Sequence, residues 1–353
     1  MRCGVGDYTY SLAKALAAEP ATQVGVLTSV SGENMGQSDD IALFPIMTSW
    51  GVAEALKVAE LILHWSPDVV HIQYPTRGYG RGNLPRLLPI IAFLMRAKVV
   101  QTWHESFHPR SWLKLLLKSV VPSRLVVVRP NYRDVLPRSL RWALWNKQYA
   151  FIRNASALPQ VDLDEKEAQG LRRQYLKGQR RLIVFFGFVY RNKGVELLFD
   201  IADPTSDHIV IAGEVVEASD YHRKITALAS AKPWAGKVTV TGFLPPTDVA
   251  ALLAVADAVI LPYRVGGGEW NTSIHAAVIE RSFVITTSLT NHGYDEKRNI
   301  FFATVDDTEE MKSALDIHAG RKREYQHDID RDEWKEMAER HLSLYETLLL
   351  KPQ

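Results

Sequence analysis

The chain has 353 residues and a single cysteine, Cys3. One thiol excludes an intramolecular disulfide and a zinc-finger site, and suits a reducing cytoplasm. No apolar run is long enough to span a bilayer and no secretory leader is legible. The most suspicious stretch, Leu84 to Val100, is interrupted by Pro85, Arg86, Pro89, Arg96 and Lys98. An excess of one charge is also missing. The balance of 42 Lys and Arg against 40 Asp and Glu leaves +2, so bulk charge gives no reason to expect nucleic-acid binding. Internal repeats and low-complexity tracts are absent, which excludes a solenoid.

What is present is an alternation. With 46% hydrophobic and 23% charged residues the chain can bury large cores, and its length suits two domains. Short apolar runs at Val24–Thr28, Val69–Ile72, Lys98–Thr102 and Leu125–Val128 read as strands, with helical stretches such as Thr9–Ala18 and Val52–Trp65 between them. A looser stretch, Arg153 to Asp164 with Pro159, reads as a linker. A second series follows at Leu182–Phe186, His208–Ala212, Val238–Thr241, Ala258–Leu261 and Phe283–Thr286, with a helix over Asp248–Ala256. The pattern predicts an α/β protein of two Rossmann-like, doubly wound domains whose strand carboxyl ends border a cleft. The expected domains are residues 1–158 and 165–330, followed by a carboxyl-terminal helical segment, 331–353.

Two elements are suited to phosphate. The run Arg181-Leu-Ile-Val-Phe-Phe186 leads into Gly187-Phe-Val-Tyr-Arg-Asn-Lys-Gly194 and a helical-looking Val195–Asp200. A strand-to-helix turn offers backbone N–H groups and a helix dipole, and Arg191 and Lys193 add two cations. The same residues also fit a surface turn with two solvated charges. Downstream, the strand Ala258–Tyr263 is followed by Gly266-Gly-Gly-Glu-Trp-Asn-Thr-Ser-Ile274. Here Thr272 or Ser273 suits a helix N-cap, and N–H groups from Thr272 to Ile274 would face a ligand. Glu269 is an acceptor suited to sugar or ribose hydroxyls, or else a solvated loop glutamate.

In their order along the chain, these pieces resemble a GT-B glycosyltransferase of the retaining family four, within glycosyl transferases group 1. The matching segments are Cys3–Ala13, Asp68–Pro75, Val99–Glu105, Phe186–Gly194, Ile209–Gly213, Thr241–Pro245, Ala256–Tyr263 and the Glu269 segment. The resemblance implies sugar transfer from a nucleotide-diphosphate sugar with retention of configuration, and no cofactor or required metal. It also implies a carboxyl-terminal helix that crosses back onto the first domain. Gly4 and Gly6 match the glycine loop under the diphosphate. His104 matches a catalytic-centre histidine that contacts the transferred sugar, and Lys193 matches the diphosphate-binding lysine. Glu269 matches the first of a paired-glutamate motif, and Thr272, Ser273 and Ile274 match the helix start over the phosphates.

Three departures stand out. Ala277 occupies the second glutamate's position, and Phe188 replaces an arginine that Arg191 would substitute. Only Met1-Arg-Cys3 precedes the glycine loop, where the family has a full strand; a misplaced start is the expectation. A degenerate sugar-nucleotide-binding scaffold and a GT-B-type epimerase are the alternatives. His71 and Gln73 fit either an acceptor cleft or a buried strand. The segment Pro109–Lys118 carries Arg110, Lys114 and Lys118 at a four-residue rhythm among Trp112 and leucines, and Arg86, Arg96 and Lys98 flank Leu87–Met95. These features suit peripheral binding to an anionic membrane and a lipid-linked or saccharide acceptor, or simply a core helix.

Overall fold

The computed structural model describes residues 4–30, 40–104, 120–130, 132–134, 136, 138–145, 147–156, 158–213, 215, 219–268, 270–323 and 332–350. The chain divides into two compact units, residues 1–155 with 331–353, and residues 156–330.

The first unit opens with helix α1 (Gly4–Ala17), then strands β1 (Val24–Ser29) and β2 (Ile41–Met47), helix α2 (Ala55–Trp65) and strand β3 (Val69–Tyr74). Strands β4 (Lys98–Trp103), β5 (Arg124–Val127) and β6 (Tyr149–Phe151) follow, and the carboxyl-terminal helix Glu333–Leu349 packs in this unit. Its strands form two parallel sheets, β1-β2 and β3-β4-β5-β6. The two-residue period of the strands sets the faces. Val100 and Val126 join Tyr8, Leu12 and Leu16 of α1 and Met337 and Ala338 of the last helix in one cluster. Ile72 and Val99 join Val58 and Ile62 of α2 in another.

The second unit carries β7 (Arg181–Phe186), β8 (Asp207–Ala212), β9 (Val238–Val240), β10 (Ala258–Leu261), β11 (Val284–Thr287), β12 (Gly293–Asp295) and β13 (Ile300–Ala303). They form one sheet in the order β12-β13-β11-β10-β7-β8-β9, parallel except for β12 against β13. Strands covered on both faces are largely apolar, and every residue of β8, β10 and β11 is buried. Asp207 is wholly buried at the start of β8 and takes a two-point ion pair from Arg181 at the start of β7 (2.6 and 3.0 Å). The helix Glu165–Leu176 starts in a capping box, with Glu167 N–H donating to Asp164 Oδ1 (2.7 Å). Chain order reverses between β7 and β10, so the loops after these two strands diverge and leave a crevice at their carboxyl ends.

One expected element differs. The helix read over 195–200 is one 3₁₀ turn, Val195–Leu197, running into a four-residue α-turn at Leu198–Ile201, and a separate 3₁₀ turn, Arg191–Lys193, precedes it. Gly194, at φ +65°, breaks the run between them. The basic turn therefore has no long helix dipole behind it.

Candidate functional site in two parts

In the second unit the crevice between β7 and β10 is built by close backbone approaches that only glycine permits. Gly187 N–H donates to the Ala212 carbonyl (3.1 Å). A Cβ on Gly213 would lie 2.1 Å from the Gly187 oxygen, and one on Gly194 would lie 2.3 Å from the Pro262 oxygen. The basic turn thus presses onto the end of β10, and Arg264 N–H donates to the Asn192 carbonyl (3.1 Å).

This contact brings the two phosphate-suited elements together through a residue that the sequence reading left unassigned. Tyr263 is buried, and the Lys193 ammonium sits 4.1 Å from its ring centroid. The Ser273 side chain hydrogen-bonds the same tyrosine, whose hydroxyl burial holds far above its ordinary ionisation range. Lys193, Tyr263 and Ser273 form one contiguous surface at the head of the helix Thr272–Ile279. The expected N-cap moves by one residue: Asn271 occupies that position, but its Oδ1 accepts from Gly268 N–H (3.0 Å) and so holds the glycine loop. Among the described residues no side chain caps the first turn, so the N–H groups of Thr272, Ser273 and Ile274 take no cap from Asn271. Ile274 contributes only its backbone, because its side chain lies in the core. Ala277 is also wholly buried there.

Arg191 is exposed and lies 5.6 Å from the Tyr221 ring centroid, on a different aromatic from Lys193. Tyr221 accepts from Val195 N–H (2.9 Å) and donates to Glu196, which also accepts from Arg264 (3.0 Å). Burial pushes the Glu196 carboxyl up, but these hydrogen bonds outweigh it and hold the group below its usual range. Phe188, at the position of the family's arginine, stacks parallel to Tyr190 (5.7 Å) and meets the edge of Phe243 (6.0 Å). Glu269 lies outside the described residues.

In the first unit His104 follows β4, its N–H donating to the Tyr74 carbonyl (2.9 Å). Four polar side chains make a chain across one face of β3 and β4. His71 pairs with the Tyr345 hydroxyl (2.6 Å) and Thr102 Oγ1 (2.7 Å), Gln73 with His71 (3.3 Å), and His104 with Gln73 (2.8 Å). One proton arrangement satisfies every link. His71 Nδ1–H donates to Tyr345, and His71 Nε2 accepts from Thr102 and Gln73. Gln73 Oε1 then accepts from His104 Nε2–H. Burial, with the nearby His341 adding to it, drives His104 down to about 3, so it is a neutral hydrogen-bonding group at physiological pH. His71 is held well below its ordinary range by the same causes, and burial takes His341 down to about 4.

Tyr8 of α1 packs edge-on against His104 (4.6 Å between centroids). His341 and Tyr345, four residues apart on one helical face, were a signal available in the sequence but not read there. Gly4 and Gly6 stand in the first turn of α1 rather than in a loop ahead of it. The amphipathic segment 110–118 lies outside the described residues. No described helix is long and apolar enough to cross a membrane.

Residues 180–317 match the family Glycosyl transferases group 1. No curated protein sequence matches the chain. Among solved structures, HepE from Anabaena in complex with UDP-glucose is similar over 99% of this chain and 95% of that one, with 13% identity and a TM-score of 0.68. A glycosyltransferase from Rickettsia africae gives 14% identity, 99% and 96% coverage and a TM-score of 0.67. Sucrose-phosphate synthase from Thermosynechococcus elongatus gives 14%, 99% and 91%, and 0.66. The fold is therefore that of the GT-B glycosyltransferases.

Proposed function

We propose that this chain, a glycosyltransferase of the GT-B type, moves a sugar from a nucleotide-diphosphate sugar to an acceptor with retention of configuration, as in family four. The observation that carries the reading is the Lys193–Tyr263–Ser273 surface at the head of an uncapped helix, where β7 and β10 diverge. Cleaving the donor leaves a nucleoside diphosphate with growing negative charge. A fixed ammonium and uncapped N–H groups stabilise that charge without reorganising, which is the work required of such a site. The reading needs no resident cofactor or metal ion; the positive charge comes from Lys193, with Arg191 alongside.

His104 enters as a neutral group. With Nε2–H committed to Gln73, its Nδ1 is left as an acceptor suited to a hydroxyl of the transferred sugar. Glu269 would serve sugar hydroxyls from the glycine loop. HepE holding UDP-glucose, and in another structure UDP and glucose, supports a nucleotide-sugar donor here.

The acceptor we assign is a saccharide or lipid-linked saccharide of a cell-surface polysaccharide or glycolipid, met at an anionic membrane. Trp142 and Trp145 support this, being 79% and 71% exposed beside the exposed Arg138 and Arg141. Indole rings flanked by cations suit a lipid headgroup layer. The test of function is a panel of nucleotide sugars incubated with the full chain, released nucleotide being measured and product anomers assigned by NMR. Turnover with the donor's anomeric configuration kept in the product is expected. Binding without turnover would favour the degenerate scaffold, and inversion would refute the family-four reading.

A further inference from the structure

Side chains two residues apart on a strand share a face, so His71 and Gln73 of β3 stand on one side of their sheet, as do Thr102 and His104 at the end of β4. The register sets Gln73 opposite Thr102, which makes it the same side for both strands. α1 and the carboxyl-terminal helix cover that side, where Val100 packs with Leu12 and Met337. Gln73 and Thr102 are buried there. Polar groups shut off from water need partners, and this row finds them in itself and in the Tyr345 hydroxyl.

Burial keeps His71 and His104 neutral at physiological pH, so each ring carries one proton and offers one bare nitrogen. Gln73 between them has one donating end and one accepting end. A choice made at either end of such a row is therefore carried to the other. Tyr345 makes it at the far end. His71 Nδ1–H donates to the tyrosine oxygen (2.6 Å), which leaves Nε2 bare for the Thr102 hydroxyl (2.7 Å) and the Gln73 amide N–H (3.3 Å). The amide must then turn Oε1 to His104, and the His104 proton follows to Nε2 (2.8 Å).

We propose that Tyr345, acting through His71 and Gln73, is a positioning residue for His104: it decides which imidazole nitrogen carries the proton, and so whether a sugar hydroxyl meets an acceptor or a donor. The role rests on the reading of His104 as a group that touches the transferred sugar. Without the Tyr345 hydroxyl, a proton on His71 Nδ1 has no acceptor, and a buried N–H left alone is costly. Moved to Nε2, the same proton reaches Thr102 Oγ1. That nitrogen then opposes the Gln73 N–H, donor against donor, until the amide turns over. His104 now faces an amide N–H, its Nε2 must be bare, and its proton shifts to Nδ1. Removing one oxygen from the helix Glu333–Leu349 thus converts His104 from acceptor to donor.

The experiment uses the full chain with its histidines labelled for nitrogen NMR, His71 and His104 being assigned by single substitution. Nitrogen shifts tell a bare ring nitrogen from a protonated one. The unmodified chain is expected to show His104 bare at Nδ1 and His71 bare at Nε2, and Tyr345→Phe to show both reversed. Gln73→Leu, which cuts the row beside His104, is expected to leave His71 unchanged while His104 populates both forms. With a nucleotide-sugar donor, Tyr345→Phe should lower kcat about tenfold or more while the nucleoside diphosphate binds as before. The opposite tautomers in the unmodified chain, or no reversal in a folded Tyr345→Phe, would overturn the proposal. Reversal with kcat unchanged would support the relay and refute the sugar contact of His104. The tautomer measurement needs no substrate, so it decides the relay even where no donor is turned over.

Discussion

Acid should weaken the first unit through its buried histidines, and the size of the effect can be worked from the structure. His341 is fully buried, donates Nδ1–H to the Met337 carbonyl (2.8 Å), and has no partner for Nε2 among the described residues. A proton taken up there has no acceptor to meet, so burial holds the group near 4 rather than 6.5. For a depressed histidine, stability is complete above the unfolded value of 6.5 and is lost as pH falls towards the folded value. At about pH 5 the unfolded chain holds this proton and the native chain largely does not, a cost of about 2 kcal/mol. His104, held near 3, adds a similar amount. Together they remove about 4 kcal/mol from a total that is typically 5–15 kcal/mol.

Urea unfolding followed by tryptophan fluorescence between about pH 7.5 and 5 measures this loss. His341→Leu keeps the volume and removes one titrating group, so about 2 kcal/mol of the loss should vanish while stability at pH 7.5 is kept. An unchanged pH slope in that variant would refute the assignment of the loss to these buried imidazoles.

Glu280 should show the opposite dependence. Burial raises its carboxyl to about 7, partly offset by the Val161 N–H and the Lys322 charge, so the stability it contributes is whole below about 4.5 and is lost as pH rises towards about 7. Glu280→Gln is therefore expected to stabilise the second unit by about 3 kcal/mol at pH 8 and to change little at pH 4, as read by urea titration. Gly213→Ala should drive its new methyl into the Gly187 carbonyl and spread the ends of β7 and β8; weaker nucleoside-diphosphate binding together with a lower melting temperature would show it. Trp142→Ala with Trp145→Ala should abolish flotation with anionic vesicles at low salt while leaving hydrolysis of soluble donor unchanged.

Much of the fold was legible because buried parallel strands are largely apolar. Leu182–Phe186, His208–Ala212 and Ala258–Leu261 could hardly be read otherwise. β6, β12 and β13 were not read: β6 and β12 have three residues each, and β12 is partly polar, so periodicity has little to act on. β2 contains Pro45, which argues against a strand unless its N–H faces away from a partner. At the site, Lys193 and the Thr272–Ile274 helix start stood out because cations and glycines next to strand ends have a local meaning. Tyr263 did not, since an aromatic closing an apolar run reads as core until the turn from Gly187 to Gly194 is seen folded onto it. The histidine chain was hidden for a different reason: His71 and Tyr345 are 274 positions apart, and only tertiary structure joins them.

The central claim is that the Lys193 surface binds the leaving diphosphate. Isothermal titration of UDP, ADP and GDP into the full chain and into Lys193→Ala tests it most directly. A charge-assisted contact to phosphate is worth about 1.5–3 kcal/mol, so the variant should bind the preferred nucleotide roughly 10- to 150-fold more weakly, with its fold intact by circular dichroism. Equal affinity in the two proteins would contradict the account.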